Sequence, residues 1–276
     1  MEDVTAEYTV EQLLESPPLR VTTRLTIACK TDVGRVRENN EDKFEYYLPE
    51  DEPTLATRGA VFLVCDGMGG HAAGQIASEL AAKTFLDVYY HHPATDPVLA
   101  MHAGVQAANR YVLDNARAFP ARRGMGCTLS GLVVLQDEVF VVQVGDSRVY
   151  RLRDENLERL MADHTWIHEA LEAGHITAEE SINHPYRHVL TRAIGTEEGV
   201  AADVFRYPIS VGDRFLLCSD GLLDHLSDAE IAPVLAGHAP SEAAWKLVGS
   251  ALQAGGSDNT TVLIVRIDEL KTAESA

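Results

Sequence analysis

VFLVCDGMGG, residues 61–70, runs five apolar residues into Asp66 and then into glycines. It reads as a strand whose end fixes a carboxylate. Two further apolar runs end the same way, VFVVQVGDS (139–147) at Asp146 and RFLLCSDG (214–221) at Asp220. A fourth aspartate, Asp258, stands just before the apolar run of GGSDNTTVLIV (255–265), and an acidic cluster, ENNED, spans Glu38 to Asp42. Asp-Gly after a strand is by itself a hairpin-turn signal. Repeated return to aspartate at strand ends is not, because ordinary turns would scatter Asn, Gly, Ser and Pro. Several fixed carboxylates aimed at one place make a site for hard cations, which prefer oxygen ligands.

Outward from these runs, RLTIACKT and KFEYYL read as strands before the run to Asp66. HAAGQIASELAAKTFLDVYY and PVLAMHAGVQAANRYVLDNARAF carry apolar residues at helical spacing, the second after an Asp96-Pro97 start signal. TLSGLVVLQDEVFVVQVGDSRVYRLRDENLERL reads as a meander with turns at QD and RDEN. A polar, His-rich segment of helical character follows, MADHTWIHEALEAGHITAEESINHPYRHVL. RAIG, ADVFRYPI and DRFLLCS are expected to resume the strands. LSDAEIAPVLAG and SEAAWKLVGSALQAGG are two more helices, with Ser227 and Ser241 as expected caps and Glu230 completing a capping box. TTVLIVRI is the last strand. Strands in hairpin sequence and helices in pairs argue for an α+β layer architecture of antiparallel sheet with helices on the outer faces.

The chain of 276 residues carries 42 acids against 23 bases, a net charge of −19. That charge argues against nucleic acid, whose phosphates need Lys and Arg, and against an anionic membrane surface. An acidic chain that acts on phosphate needs a local positive site. Cys29, Cys65, Cys127 and Cys218 form no CxxC pair and are expected to be reduced, buried and cytosolic. Residues 1–22 hold five acids and one base and read as a flexible extension, in which Val10, Leu13 and Leu14 could form one amphipathic turn. No signal peptide or apolar span of about 18 residues is present, so a cytoplasmic location is expected.

Gly67-Met68-Gly69-Gly70-His71-Ala72 fits the dinucleotide fingerprint, with Asp87 about 20 residues on. Asp66 before the first glycine would oppose a pyrophosphate, Asp87 lies within a helix pattern, and the next strand is too distant for a βαβ unit. A steric role for these glycines fits better.

Taken together, TDVGRVRENNED (31–42), VCDGMGGHAAGQIAS (64–78), GCTLSGLVV (126–134), VGDSRVYRL (144–152), DHTW and LTRAIG (163–195), LLCSDGLLDHLSD (216–228) and GGSDNTTVLIV (255–265) resemble the motifs of the bacterial PPM family, the type 2C metal-dependent serine/threonine protein phosphatases, in family order over 23–268. The resemblance implies two antiparallel sheets packed as a sandwich flanked by helix pairs, with a phosphatase domain at 23–268, a flap at about 163–190 and a tail at 269–276. It implies hydrolysis of phosphoserine and phosphothreonine by a water activated between two Mn²⁺ or Mg²⁺ ions. Asp66 would bridge both ions, the Gly67 carbonyl would bind one, and Asp220 and Asp258 the other. Asp42 would accept from water in the outer shell. Asp146, with Asp220, would hold a third, weaker ion, and Arg37 would grip the substrate phosphate. The alternative for Arg37 is a surface pair with Glu38 or Glu41. Met68 stands where some members carry a histidine proposed as general acid; His71 is the nearest candidate for that role, and a structural role suits it better. His164, His168, His175, His184 and His188 match no zinc spacing. Partners implied are phosphorylated proteins, a Ser/Thr kinase and its substrates, with no nucleic acid or membrane, and a monomeric state. A catalytically weak regulatory or scaffold member of the same fold is the competing reading.

Overall fold

The computed structural model describes residues 18–70, 72–182 and 184–272. The expected turn at Val10–Leu14 and His71 lie outside them. Two five-stranded sheets are antiparallel throughout. The first has the order β1 (Val21–Asp32), β12 (Thr260–Thr272), β11 (Arg214–Cys218), β8 (Arg148–Arg153), β9 (Asn156–Arg159). The second runs β10 (Asp203–Pro208), β7 (Glu138–Val144), β6 (Leu129–Leu135), β3 (Ala60–Cys65), β2 (Lys43–Tyr47). A two-stranded ribbon joins β4 (Gly67–Met68) to β5 (Gly126–Cys127).

The central strands are apolar without alternation because both of their faces are covered. Phe62 and Val64 of β3 meet Phe215, Leu217, Leu263 and Val265 of the other sheet in the sandwich interior. Val61, Leu63 and Cys65 point the other way, onto α2 (Ala72–His91) and α3 (Pro97–Ala118) through Ala77, Ala81, Phe85 and Val105. Leu216, Cys218, Val262 and Ile264 face outward onto α7 (Asp228–Gly237) and α8 (Pro240–Gln253). The layers are therefore α-β-β-α. Each fully buried Leu or Phe contributes about 1.5–3 kcal/mol. β1 and β12 pair from Val21↔Thr272 to Asp32↔Thr260.

Several local expectations need correction. RAIG forms no strand: only Ile194 bridges, to Cys127, and Gly195 at φ 85° turns the chain away. Ser241 is not a cap. Ala239 is the N-cap of α8 and Pro240 takes the first turn, where a missing N–H costs nothing. Asp96 and Ser227 do cap their helices, the latter in a capping box with Glu230. Cys29 is exposed on β1, whereas Cys65, Cys127 and Cys218 are buried, and all four are free thiols. The short helix α1 (Glu52–Thr57), capped by Asp51, was not expected. The His-rich segment holds α4 (Trp166–Glu172) and α5 (Ala178–Ile182). No described helix is long and apolar enough to cross a membrane.

Candidate metal centre

Both sheets deliver their aspartates to one end of the sandwich. Asp66 follows β3, Asp146 lies just past β7, Asp220 opens α6 (Asp220–Leu223) directly after β11, and Asp258 precedes β12. Asp66, Gly67, Asp146, Asp220, Asp258 and Arg37 all line one cleft of about 790 Å³. Asp42 does not line it. It sits behind, at a smaller cavity of about 340 Å³.

Backbone bonds and close approaches lock the ligand-bearing turns. The Asp66 N–H donates to Thr128 Oγ1 (2.9 Å), the Thr128 N–H donates to the Asp66 carbonyl (2.8 Å), and Thr128 Oγ1 lies 2.7 Å from Ser147 Oγ, tying the Asp66 and Asp146 turns together. Gly67 packs on the start of α2 so closely that a Cβ there would lie 2.3 Å from the Gly74 carbonyl oxygen. A Cβ at Gly221 would lie 2.0 Å from the Asn259 carbonyl oxygen. Buried Asn259 donates from Nδ2 to the carbonyls of Val33 and Asn39 (both 2.9 Å) and accepts from the Glu41 N–H (2.8 Å). The loop carrying Arg37 is thereby fastened to the residue after Asp258.

The carboxylates repel one another. Burial, and then the charges of Asp42, Asp220 and Asp146, hold Asp66 well above the usual carboxylate range. Burial followed by Asp220 pushes Asp146 up to about 8. Burial raises Asp220 as well, and it shares a hydrogen bond with Asp66. Burial pushes Asp42 up to about 7, against the hydrogen bonds of Thr261 and Ser219, which stabilise its anion. Its Oδ2 accepts from Ser219 Oγ at 2.7 Å, whereas buried Oδ1 has no hydrogen-bond partner among the described residues. An all-oxygen set of this kind, short of positive charge and with an orphaned acceptor behind it, fits divalent cations of the Mg²⁺ or Mn²⁺ type.

Arg37 reaches across the chain to Asp258, with the charge of Glu41 also felt at its guanidinium. Its Nη2 lies 2.6 Å from Asp258 Oδ2, and this bond is the main reason its pKa is raised. Met68 lines the cleft. The histidines of the His-rich segment part company. His164 is buried, accepting from the Gly145 N–H at Nδ1 (3.2 Å) and meeting Asp203 at Nε2 (3.0 Å). His168 meets Glu172, His184 stacks on Trp166, and His188 Nδ1 lies 3.9 Å from Asp220 Oδ2. Potential ligand atoms of His188, Asp220 and Asp224 lie within 4.8 Å of one another, so a cation could also sit on the His188 side of Asp220. Sequence reasoning assigned no role to Thr128, Ser219 or Asn259. Each lies inside a quoted motif, but its work is done by hydrogen bonds that spacing does not reveal.

Comparison with known proteins points to one family. The family model described as "Protein phosphatase 2C" matches residues 38–252. The serine/threonine phosphatase stp of Listeria innocua is 34% identical over 252 residues, 90% of this chain and 98% of that protein. The crystal structure of the Mycobacterium tuberculosis serine/threonine phosphatase PstP/Ppp superposes with a TM-score of 0.79 at 34% identity, covering 89% of this chain and 99% of that one. A structure of the PstP catalytic domain in complex with two manganese ions has a TM-score of 0.77 at 34% identity, covering 90% and 100%.

Proposed function

This chain belongs to the protein phosphatase 2C family and is a serine/threonine protein phosphatase that uses Mn²⁺ or Mg²⁺, and from that premise we propose which of its residues do the work. Asp66, Asp220, Asp258 and the Gly67 carbonyl hold two core cations, and Asp146 with Asp220 holds a third, weaker one. The observation that carries the reading is the convergence of half-buried, mutually repelling Asp66, Asp146 and Asp220 on one cleft. When bound, the ions supply a nucleophilic water at neutral pH and offset charge on the phosphoryl oxygens.

The chain's own groups do the rest. Asp42, behind the cleft, serves as the outer-shell acceptor: Ser219 fixes its Oδ2, and its buried Oδ1 is left with acceptor capacity to spare. Arg37, half-exposed and held at the cleft by Asp258, turns its guanidinium to the substrate phosphate, for which its forked donors are suited. Met68 carries no proton, so the leaving group takes its proton elsewhere.

The substrates are phosphorylated proteins, with a Ser/Thr kinase as the opposing activity. We assign the protein to the cytoplasm as a signalling monomer with a flap at about 163–190; its catalytic domain is wider than the expected 23–268, because residues 21–22 and 269–272, expected in the flanking extensions, are the paired ends of β1 and β12.

The test is Arg37→Ala assayed on a phosphopeptide with manganese titrated by calorimetry. The expected result is a fall in kcat/KM of roughly 10–100-fold, the loss of one charge-assisted phosphate contact, with manganese affinity unchanged or tighter because Asp258 is released. An equal loss of metal affinity would make Arg37 structural. Turnover surviving metal stripping and excess chelator would overturn the cation reading itself.

A further inference from the structure

RAFPARR, residues 117–123, places three of the chain's 23 basic residues within seven positions and contains no acid. It leaves the end of α3 through a 3₁₀ turn at Pro120–Arg122. A groove of about 490 Å³ runs beside it, with an apolar floor from Leu113, Ala116 and Pro120 and a basic edge from Arg117 and Arg123. Thr196 lines both this groove and the metal cleft, so the two are neighbours on one surface.

The basic edge is only partly neutralised. Arg117 Nη2 meets Glu198 Oε1 at 2.6 Å. Arg122 is held in place without a counter-charge: its Nη1 donates to Asn115 Oδ1 (3.0 Å) and its guanidinium lies 4.4 Å from the Phe119 ring centroid. Among the described residues neither Arg122 nor Arg123 forms an ion pair. In a chain of net charge −19, such a local excess of positive charge attracts an anionic partner and orients it on approach.

We propose that this groove receives acidic residues flanking the phosphorylated serine or threonine of the protein substrate. The inference rests on the phosphatase reading above. Arg123 on the groove's edge meets the acidic side chains and Arg122, its chain neighbour outside the groove, adds to the positive field there; the apolar floor takes an intervening aliphatic residue, and the shared Thr196 wall lets one extended peptide occupy groove and cleft together.

The experiment uses the full chain with manganese and phosphopeptides of equal length carrying glutamates before the phosphoresidue, glutamates after it, or lysines in the same places. Aryl phosphate serves as the substrate that cannot reach the groove. One of the glutamate peptides should exceed its lysine counterpart about three- to ten-fold in kcat/KM, mostly through KM, as expected for two solvent-exposed charge pairs. The preference should shrink at high salt. Arg122→Glu/Arg123→Glu should abolish or invert it and leave aryl phosphate turnover unchanged. Equal cleavage of all peptides by the wild type would overturn the inference and leave the phosphatase reading standing. Cleavage of none of them would overturn both. A parallel loss on aryl phosphate, or a wild-type dimer in sedimentation that the variant dissolves, would also sink the inference, the latter by giving the groove to a second copy of the chain.

Discussion

Two clusters of charge flank the turn Gly145–Arg148, and they are built on opposite principles. On the Asp163 side, Arg148 grips Asp163 through Nε–Oδ1 (3.0 Å) and Nη2–Oδ2 (2.7 Å) and bonds the Tyr150 hydroxyl, while Arg159 adds a contact to Asp163 at 3.2 Å. Next to it, Asp203 is met by His164 and by Arg192 (2.9 Å). Burial lowers the His164 pKa, so it serves as a neutral clasp. On the cleft side, Asp66, Asp146 and Asp220 face one another with no side-chain cation of comparable quality among the described residues. A buried charge that the fold itself pairs belongs to the scaffold. One that the fold leaves facing its own kind awaits something from solution.

The largest effect should come from removing charge on the unpaired side. Asp66→Asn and Asp220→Asn are each expected to cut manganese-dependent turnover by roughly 100-fold or more, with a metal-free melting temperature equal to or above that of the parent. A lower metal-free melting temperature would mean that these acids hold the fold together and that the contrast is false.

A smaller, opposite effect is expected on the paired side. Arg148→Ala leaves Asp163, whose side chain is 12% exposed, with Arg159 alone. Urea unfolding should show a loss of about 2–4 kcal/mol, with normal turnover per folded molecule. Loss of turnover without loss of stability would move Arg148 into the reaction.

The smallest effect sharpens the contrast through pH. An acid whose folded pKa is raised binds more protons folded than unfolded, so its contribution to stability is lost as pH rises through that folded value. With ordinary unfolded values of about 4 and folded values of about 7 for Asp42 and about 8 for Asp146, the loss runs from about pH 4 to about pH 8. In chelator, the melting temperature should fall by about 4–8 °C between pH 5.5 and 8.5, and manganese should remove the fall. A flat metal-free profile would show that the carboxylates are already relieved from within.

The layered fold was legible because β3, β11 and β12 are apolar on both faces and the outer helices carry clear helical periodicity. The cleft aspartates were legible because strand ends fix them. What escaped depends on partners far away in sequence. Ile194 looks like strand material, yet it exchanges only two backbone bonds, with Cys127. The α1 helix is too short for any period to register, and Asp51 with Pro53 was its sole signal. The pairing of Arg37 with Asp258 spans 221 positions, and nearer acids outbid it in a linear reading. Asp42 was expected at the metals' outer shell; its burial behind Ser219 and its open Oδ1 could be seen only in three dimensions.

Gly221 has no functional group, yet in a saturating scan of single substitutions it should be depleted as severely as its neighbour Asp220. One added carbon would meet the Asn259 carbonyl oxygen at 2.0 Å, against backbone that cannot rotate aside. The segments bearing Asp220 and Asp258 would be wedged apart. The spacing between those two acids is therefore set by van der Waals contact between backbones, and the smallest residue in the chain acts as the ruler.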